Sequence, residues 1–349
     1  MKYLITGGTG FLGCHIAARL LKAKHKVVLY DLAPLTEPGL KGKVTVVQGD
    51  VRDEATLNQA MKGVDIVIHS AAALPLARPA EILDVTVRGT EIVLAATRKN
   101  KITRFVHIGS TAVYGIPKKH PIIETDPLVG VGPYGIAKIE AEKVCERYRS
   151  KNLTVAILRP KTFIGTGRLG VFQILFDWIR RGCRIPVIGS GDNRYQLLAV
   201  EDLVEAIYLA ATKPAKVAND TFNVGAKKFG KVKDDLNALF RFAGTGSTVM
   251  ATPASPIKGV LAILETLHLS PLYKWVYGTA DRDSFVSTAK IEKQLGWKPK
   301  YSNADTLIAT YNWYRKHYKA YEKAVGITHK VAWKQGALTV ARWILQKRG

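Results

Sequence analysis

Acidic residues are scarce in this chain of 349 residues. Asp and Glu number 28 against 52 Lys and Arg, a formal net charge of +24, and no acid follows Glu322. Cysteine is scarcer still. The three present, Cys14, Cys145 and Cys183, have neither metal-ligand nor redox spacing, which argues against a metal site and a disulfide framework and for a reducing, cytoplasmic setting. No run reaches the roughly 18 uncharged apolar residues of a spanning helix. The first strand-like run starts at residue 3, so no targeting segment is expected ahead of it. Internal repeats and low-complexity stretches are also missing. The excess of positive charge calls for anionic partners. Because it is spread over the whole length, with no RNA-binding or zinc-finger signature, it points away from nucleic acid. With 47% hydrophobic residues, the chain can bury a large α/β domain and a smaller lobe.

What is present is concentrated at the beginning. The apolar run Tyr3-Leu4-Ile5 meets a glycine cluster, Gly7-Gly8-Thr9-Gly10-Phe11-Leu12-Gly13, and an amphipathic helical pattern follows from Cys14 to Ala23. Strand, glycine turn and helix in that order form a dinucleotide site. One glycine makes the bend, one lets backbone approach a pyrophosphate, and one lets the helix pack on the strand. The helix N-terminus then offers free N–H groups to the phosphates. A second run, Lys26 to Tyr30, ends on Asp31, about twenty residues further on. A carboxylate there can accept hydrogen bonds from ribose hydroxyls and repel an additional phosphate, which favours NAD over NADP.

Strand-like and helix-like runs then alternate. Val44–Gln48 leads to Asp50 and Val51, where a third strand would meet the adenine. Ala55–Met61 is a short helix, and Asp65–His69 a fourth strand closed by Ser70-Ala71-Ala72-Ala73, small enough for a cofactor to lie against the backbone. His69, on an apolar strand, is read as a core histidine. Ala80–Lys99 is helical by spacing, Arg104–Gly109 a fifth strand ending at Ser110-Thr111, Tyr134–Ser150 a long helix, and Thr154–Leu158 a sixth strand. Later come a helix over Phe172–Ile179, a strand over Ile185–Gly189, a helix from Val200 and a strand at Thr221–Gly225 that returns to the main sheet. The pattern predicts an α/β fold, a Rossmann-type doubly wound parallel sheet with a smaller mixed C-terminal lobe. Residues 1–165 form the NAD-binding domain, joined by elements near 195–225. Residues 166–194 and 226–320 form the substrate lobe, and 329–349 a basic amphipathic tail.

Tyr134 and Lys138 stand four apart at a helix start and share a face. A free phenol, with a pKa of about 10, is a poor base at neutral pH, and a nearby ammonium favours its ionised form. Ser110, at a strand end, can hold a substrate oxygen and share its proton. These residues carry a resemblance. With Thr6 to Gly13, Gly49-Asp50-Val51, His69-Ser70-Ala71-Ala72, Ser110 to Gly115, Tyr134 to Lys138, Arg159-Pro160, Val200 to Leu203, Phe222 to Gly225 and Leu295 to Pro299, the chain resembles the extended short-chain dehydrogenases/reductases of the NAD-dependent epimerase/dehydratase group. The resemblance spans roughly residues 1–315. It implies that Tyr134 is the acid/base, that Lys138 tunes it and binds the nicotinamide ribose, and that Ser110 anchors the oxygen. It also implies that the cofactor contacts Gly7, Gly10, Phe11, Leu12, Gly13, Asp31, Asp50, Val51, Ala71 and Ala72.

Departures narrow the reading. Dehydratases of the group carry an Asp-Glu pair where Thr111 and Ala112 stand here, so dehydration is not expected. Thr162 stands where many sugar-nucleotide members have asparagine. Leu74 to Ala77 is apolar, and so is Lys258 to Val276, which reads as lobe core. The leading expectation is epimerisation or oxidation of a nucleotide-sugar hydroxyl, with Thr111, Thr162, Arg194, Lys274 and Arg282 as candidate substrate contacts. The alternatives are a hydroxysteroid or lipid-alcohol dehydrogenase and a non-catalytic dinucleotide sensor. Helices 80–99 and 134–150 are expected to build a homodimer. The tail (Val331, Leu338, Ile344 and Leu345 in a stripe, Trp333 and Trp343 near it, bordered by Lys330, Lys334, Arg342, Lys347 and Arg348) suits an anionic membrane surface or a docking site on its own subunit or a partner. Gly336 weakens an isolated helix and tips the balance to docking.

Overall fold

The computed structural model describes residues 1–321 except 169, 170, 268, 270, 271 and 273, together with Arg342, Leu345 and Gln346. The first half alternates strand and helix as the periodicities require: β1 (Lys2–Thr6), α1 (Phe11–Lys22), β2 (Lys26–Asp31), β3 (Thr45–Gln48), α2 (Glu54–Ala60), β4 (Ile66–His69), α3 (Pro79–Leu83), α4 (Gly89–Lys99), β5 (Arg104–Ile108), α5 (Gly132–Tyr148) and β6 (Thr154–Pro160). The second half adds β7 (Phe163–Ile164), α6 (Val171–Arg180), β8 (Arg184–Ile188), β9 (Leu198–Ala199), α7 (Val200–Thr212), α8 (Ala215–Ala218), β10 (Thr221–Val224), α9 (Val232–Ala243), β11 (Thr248–Thr252), α10 (Ala254–Thr266), α11 (Lys274–Thr279), α12 (Ala289–Leu295) and α13 (Asn303–Tyr321).

Seven strands form one parallel sheet in the order β10-β6-β5-β4-β1-β2-β3. The order reverses beside β1, so the crevice at the carboxyl ends of β1 and β4 is where an open α/β sheet takes its ligand. Side chains alternate between the two faces. Tyr3 and Ile5 of β1 join Ile16, Leu20, Leu203 and Ile207 on one side. Leu4 joins Val28, Val67, Leu94 and Val144 on the other. Both faces of the central strands are dry, as a parallel sheet covered by crossover helices must be, while the edge strand β3 is largely exposed. β10 pairs with β6 in parallel, Phe222 opposite Leu158, so the late strand does return to the sheet.

Three boundaries differ from the sequence reading. The helix expected over 80–99 is interrupted by a π-helical turn at Asp84–Arg88, just before Gly89 passes so close to Val51 that a Cβ there would lie 2.8 Å from its Cγ2. α5 starts at Gly132 rather than Tyr134, which puts Tyr134 in the first turn. Within the stretch expected to form the lobe, α12 and Trp297 instead pack into the core beside α1 and α7, and the Trp297 indole donates to the Asp202 carbonyl at 2.9 Å.

The lobe has its own core, where Phe176 and Trp178 of α6 meet Leu239 and Phe240 of α9 and Tyr311 and Tyr314 of α13. Among its described residues the segment 258–276 is mostly not core, contrary to expectation. In α10 only Leu261 is buried, while Val260 is 53% and Ile263 62% exposed, because one face of the helix meets the lobe and the other meets none of the described residues. Most of the tail lies outside the described residues. Of the three described residues, Arg342 pairs with Asp177 of α6 at 3.1 Å, Leu345 packs on the lobe core, and Gln346 bridges to Cys183. All three cysteines are free and buried. Among the described residues no helix is long and apolar enough to cross a membrane, and no metal-binding cluster occurs.

Candidate functional site

The glycine turn is built by close approach. Gly7 has a φ of +66°, and a Cβ on it would lie 2.8 Å from the Ala71 nitrogen, so conformation and close approach both require glycine here. A Cβ on Gly13 would strike the Gly7 carbonyl and lie 2.6 Å from the Gly8 Cα. Gly10 precedes α1 without any side-chain cap, which leaves the first-turn N–H groups of Phe11, Leu12 and Gly13 for a ligand. At the end of β2 the Asp31 carboxylate accepts from the Thr9 and Ala33 N–H groups, at 3.0 and 3.1 Å, and is thereby aimed across the turn. An uncapped helix start over a cradle that a Cβ would fill, with a fixed carboxylate beside it, fits the pyrophosphate and ribose of a dinucleotide. Asp50 is held by the Arg52 guanidinium, which also reaches Asp84 at 2.6 Å; the Arg52 hydrogen bond keeps the Asp50 carboxyl below the usual range.

His69 is the core histidine it was expected to be. It is fully buried, with Nδ1 at 2.7 Å from the Thr6 hydroxyl and Nε2 at 3.0 Å from that of Thr90, and burial lowers its pKa to about 3.

Ser110 and Tyr134 both line a cavity of about 460 Å³, and Lys138 lies behind Tyr134, outside the lining. Ser110 follows β5; its Oγ accepts from the Ala112 N–H at 3.1 Å, and it lines the same cavity as Tyr134, near enough to favour the ionised phenol. Lys138 is buried one turn along α5. Its Nζ donates to the Ile108 carbonyl at 3.0 Å and lies 5.9 Å from the Tyr134 ring centre. Burial lowers the Lys138 ammonium to about pKa 8, partly opposed by Glu142. Burial also pushes the Tyr134 phenol up, while Ser110 and the Arg168 charge pull it down. The sequence reading gave that downward pull to the Lys138 ammonium and the nicotinamide ring; here the ammonium is turned to the Ile108 carbonyl at the end of β5. Arg168 was missed. It is buried at the cavity wall, with its guanidinium 5.3 Å from the Phe11 ring and 5.0 Å from that of Phe163. Only a lone arginine among Gly165, Gly167 and Gly170 marked it in the sequence.

The candidate substrate contacts separate into two sets. Thr111, Thr162 and Lys274 line the cavity. The Thr111 hydroxyl donates to the Pro160 carbonyl at 3.2 Å, and that of Thr162 lies 3.5 Å from the Tyr195 hydroxyl. Arg194 and Arg282 are exposed and do not line it. Side chains alternate along the extended segment that bridges to Ser284 at Tyr195, so Tyr195 faces the cavity and Arg194 turns away, its guanidinium over the rings of Phe229 and Phe285. Leu74 and Pro75 of the apolar loop also line the cavity, as do Trp275 and Val276.

A glycine-cradled helix start on a parallel sheet, opening beside a cavity that a tyrosine and a serine line together, defines a dinucleotide-dependent enzyme. A family model, the NAD dependent epimerase/dehydratase family, matches residues 3–225, and the chain belongs to that family; its cofactor is NAD. It is 36% identical to an uncharacterised protein of Sinorhizobium fredii over 98% of this chain and 86% of that one. It is 28% identical to the UDP-glucose 4-epimerase of Lactobacillus helveticus, over 92% of this chain and 99% of that one. Its fold is similar to that of the Thermotoga maritima UDP-glucose 4-epimerase solved with UDP-glucose, with a TM-score of 0.76 and 25% identity over 91% of this chain and 100% of that one.

Proposed function

We propose that the protein epimerises a nucleotide sugar at a secondary hydroxyl through a keto sugar. The Ser110 and Tyr134 hydroxyls lining the cavity carry this reading, since they offer a proton acceptor and an oxygen anchor to one substrate hydroxyl. NAD, held by the glycine turn and Asp31, would supply the hydride acceptor for the carbon that bears that hydroxyl and the hydride donor to the opposite face of the keto sugar. Tyr134 accepts the hydroxyl proton and gives it back. Ser110 holds the oxygen in both directions, and the Arg168 guanidinium favours the ionised phenol. Asp31 favours NAD, because it would meet an added ribose phosphate with like charge. Thr111, Thr162 and Lys274 remain our candidates for substrate contacts. Thr111 and Ala112, in place of two acids, speak against elimination of water. The relatives named as UDP-glucose 4-epimerases favour a sugar over a lipid alcohol.

We further infer a homodimer through α4 and α5, which pack side by side and leave Leu83 and Ile136 exposed nearby. For the tail, docking on its own lobe is supported over membrane contact by the Arg342–Asp177 pair and by Leu345. The function is tested by incubating the purified enzyme with UDP-glucose or UDP-galactose and following the epimer by proton NMR. Formation of the other epimer, without net reduction of added NAD, is the expected result. Its absence with every UDP- and dTDP-hexose and hexuronate tried would reject the reading.

A further inference from the structure

Two cations are buried side by side at the end of β6, and among the described residues only one has a counter-charge. Arg159 pairs with Glu142 at 2.7 Å, both nearly inaccessible. Lys161, two residues on and 2% exposed, has its Nζ on the Ser284 hydroxyl at 2.7 Å and 4.9 Å from the Tyr195 ring centre. An ammonium withdrawn from water without an anion is costly, and proteins normally pair it. The acids of the cavity wall are engaged elsewhere: Asp235 accepts from Asn303 at 2.8 Å, and Glu265 from the Tyr277 hydroxyl at 2.6 Å. The missing charge therefore falls to whatever fills the cavity, which Lys161 lines.

Position says which part of the ligand supplies it. β5 and β6 run in register with Ile108 opposite Leu158. Continuing that register sets Ser110 and Thr111 beside Pro160 and Lys161, a neighbour relation that the Thr111–Pro160 hydrogen bond confirms at 3.2 Å. Adjacent strands lie about 4.8 Å apart. Lys161 thus emerges one strand away from the hydroxyl-bearing turn, on the side of the reacting sugar ring. Building on the nucleotide-sugar reading above, we propose that Lys161 is a specificity-determining residue that receives a carboxylate carried by the sugar, so that the preferred substrate is a nucleotide-linked uronic acid. A diphosphate is the other anion in such a ligand, and the experiment separates the two.

Burial alone brings the free Lys161 ammonium down to about pKa 7. The groups that face it are the hydroxyls of Ser284, Tyr195 and Thr162, the His120 imidazole, whose pKa burial and the Lys161 charge lower, and beyond these the exposed carboxylate of Asp283. A bound carboxylate would hold the ammonium charged, so affinity for a sugar acid should fall as pH rises from 7 to 9, while that for a neutral sugar stays level.

The test compares kcat/KM of the NAD-loaded enzyme for UDP-glucuronate and UDP-galacturonate with that for UDP-glucose and UDP-galactose, in wild type and in Lys161→Met. One charge-assisted hydrogen bond corresponds to a preference of roughly ten- to a hundredfold for the acids. That preference should collapse in the variant, while UDP binding by calorimetry is retained. A wild-type ratio of one or below overturns the carboxylate proposal and leaves the epimerase standing. Equal loss of UDP and sugar-acid binding in the variant assigns Lys161 to the diphosphate and also overturns it. If none of the four sugars binds or reacts, the nucleotide-sugar reading itself falls and takes this inference with it. Should the variant fail to fold, the wild-type ratio and the pH dependence of its KM decide.

Discussion

The glycine turn after β1 and the helix α10 contrast in how tightly structure constrains sequence. In the turn, Gly7, Gly8 and Gly13 occupy places where one added methyl group would enter backbone. In α10, Gly259 has nothing within 4 Å of the position a Cβ would take, and Val260, Ile263 and Leu267 along the same face are all more than half exposed. The first region is fixed by backbone packing that no rotamer change relieves. The second answers only to helix propensity and solvent. The two also differ in what they do: the turn shapes a site for an invariant cofactor, whereas α10 belongs to the lobe that must fit a particular substrate.

The largest effect should come from the turn. Gly13→Val would drive two side-chain branches into the Gly7 carbonyl and the Gly8 backbone and should abolish NAD binding, with a loss of stability of about 3 kcal/mol or more. Fluorescence titration with NAD and a urea melt check both parts. Near-normal NAD affinity would show that the close approach is not needed.

Next comes the chemistry that the turn serves. Tyr134→Phe removes only the oxygen that moves the proton, so turnover should fall by roughly a thousandfold with little change in melting temperature or NAD affinity. Turnover within a few-fold of wild type would place the acid/base elsewhere.

The same contrast explains what could be read from the sequence. The glycine turn was legible because close backbone approach leaves few residue choices there, and the apolar runs of the central buried strands repeat the message. Arg194 and Arg282 were misplaced because charge alone does not tell which side of an extended segment a residue faces, and Tyr195 took the inward position. Arg168 and Lys161 were invisible because their meaning lies in burial beside a cavity, a property of tertiary packing. The apolar content of 258–276 was taken for core, although an apolar helix face reads the same whether covered or bare.

A smaller effect separates the lysines of the site from those of the surface. An unfolded lysine has a pKa of about 10.4, and folded Lys161 is lowered to about 7. Below pH 7 both states carry the proton and the burial cost of the ammonium is fully present. Between pH 7 and 10.4 the unfolded chain binds more protons than the folded one, so stability rises with pH. Lys161→Met should therefore stabilise the ligand-free protein most at pH 6, by a margin that shrinks towards pH 10. Denaturant midpoints measured at the two pH values read it. A margin independent of pH would mean that the lysine is not buried as a charge.

The smallest effect belongs to α10, and it bears most directly on the contrast. Glycine inside a helix costs about 1 kcal/mol relative to alanine, because its backbone loses more freedom on folding. At Gly259 an added methyl would meet nothing, so that cost is recovered without any clash. Gly259→Ala should therefore raise stability by up to about 1 kcal/mol, a shift of roughly 2 °C in a domain of this size, with NAD affinity unchanged. Differential scanning calorimetry of the two proteins at equal concentration measures it. Because Gly259 and Val260 lie on the exposed side of the helix, the sign of the shift also reports on the surface. A gain means that this face meets water in solution. A loss of 1 kcal/mol or more means that another surface lies against it closely enough to exclude a methyl group, and α10 would then be as tightly specified as the glycine turn.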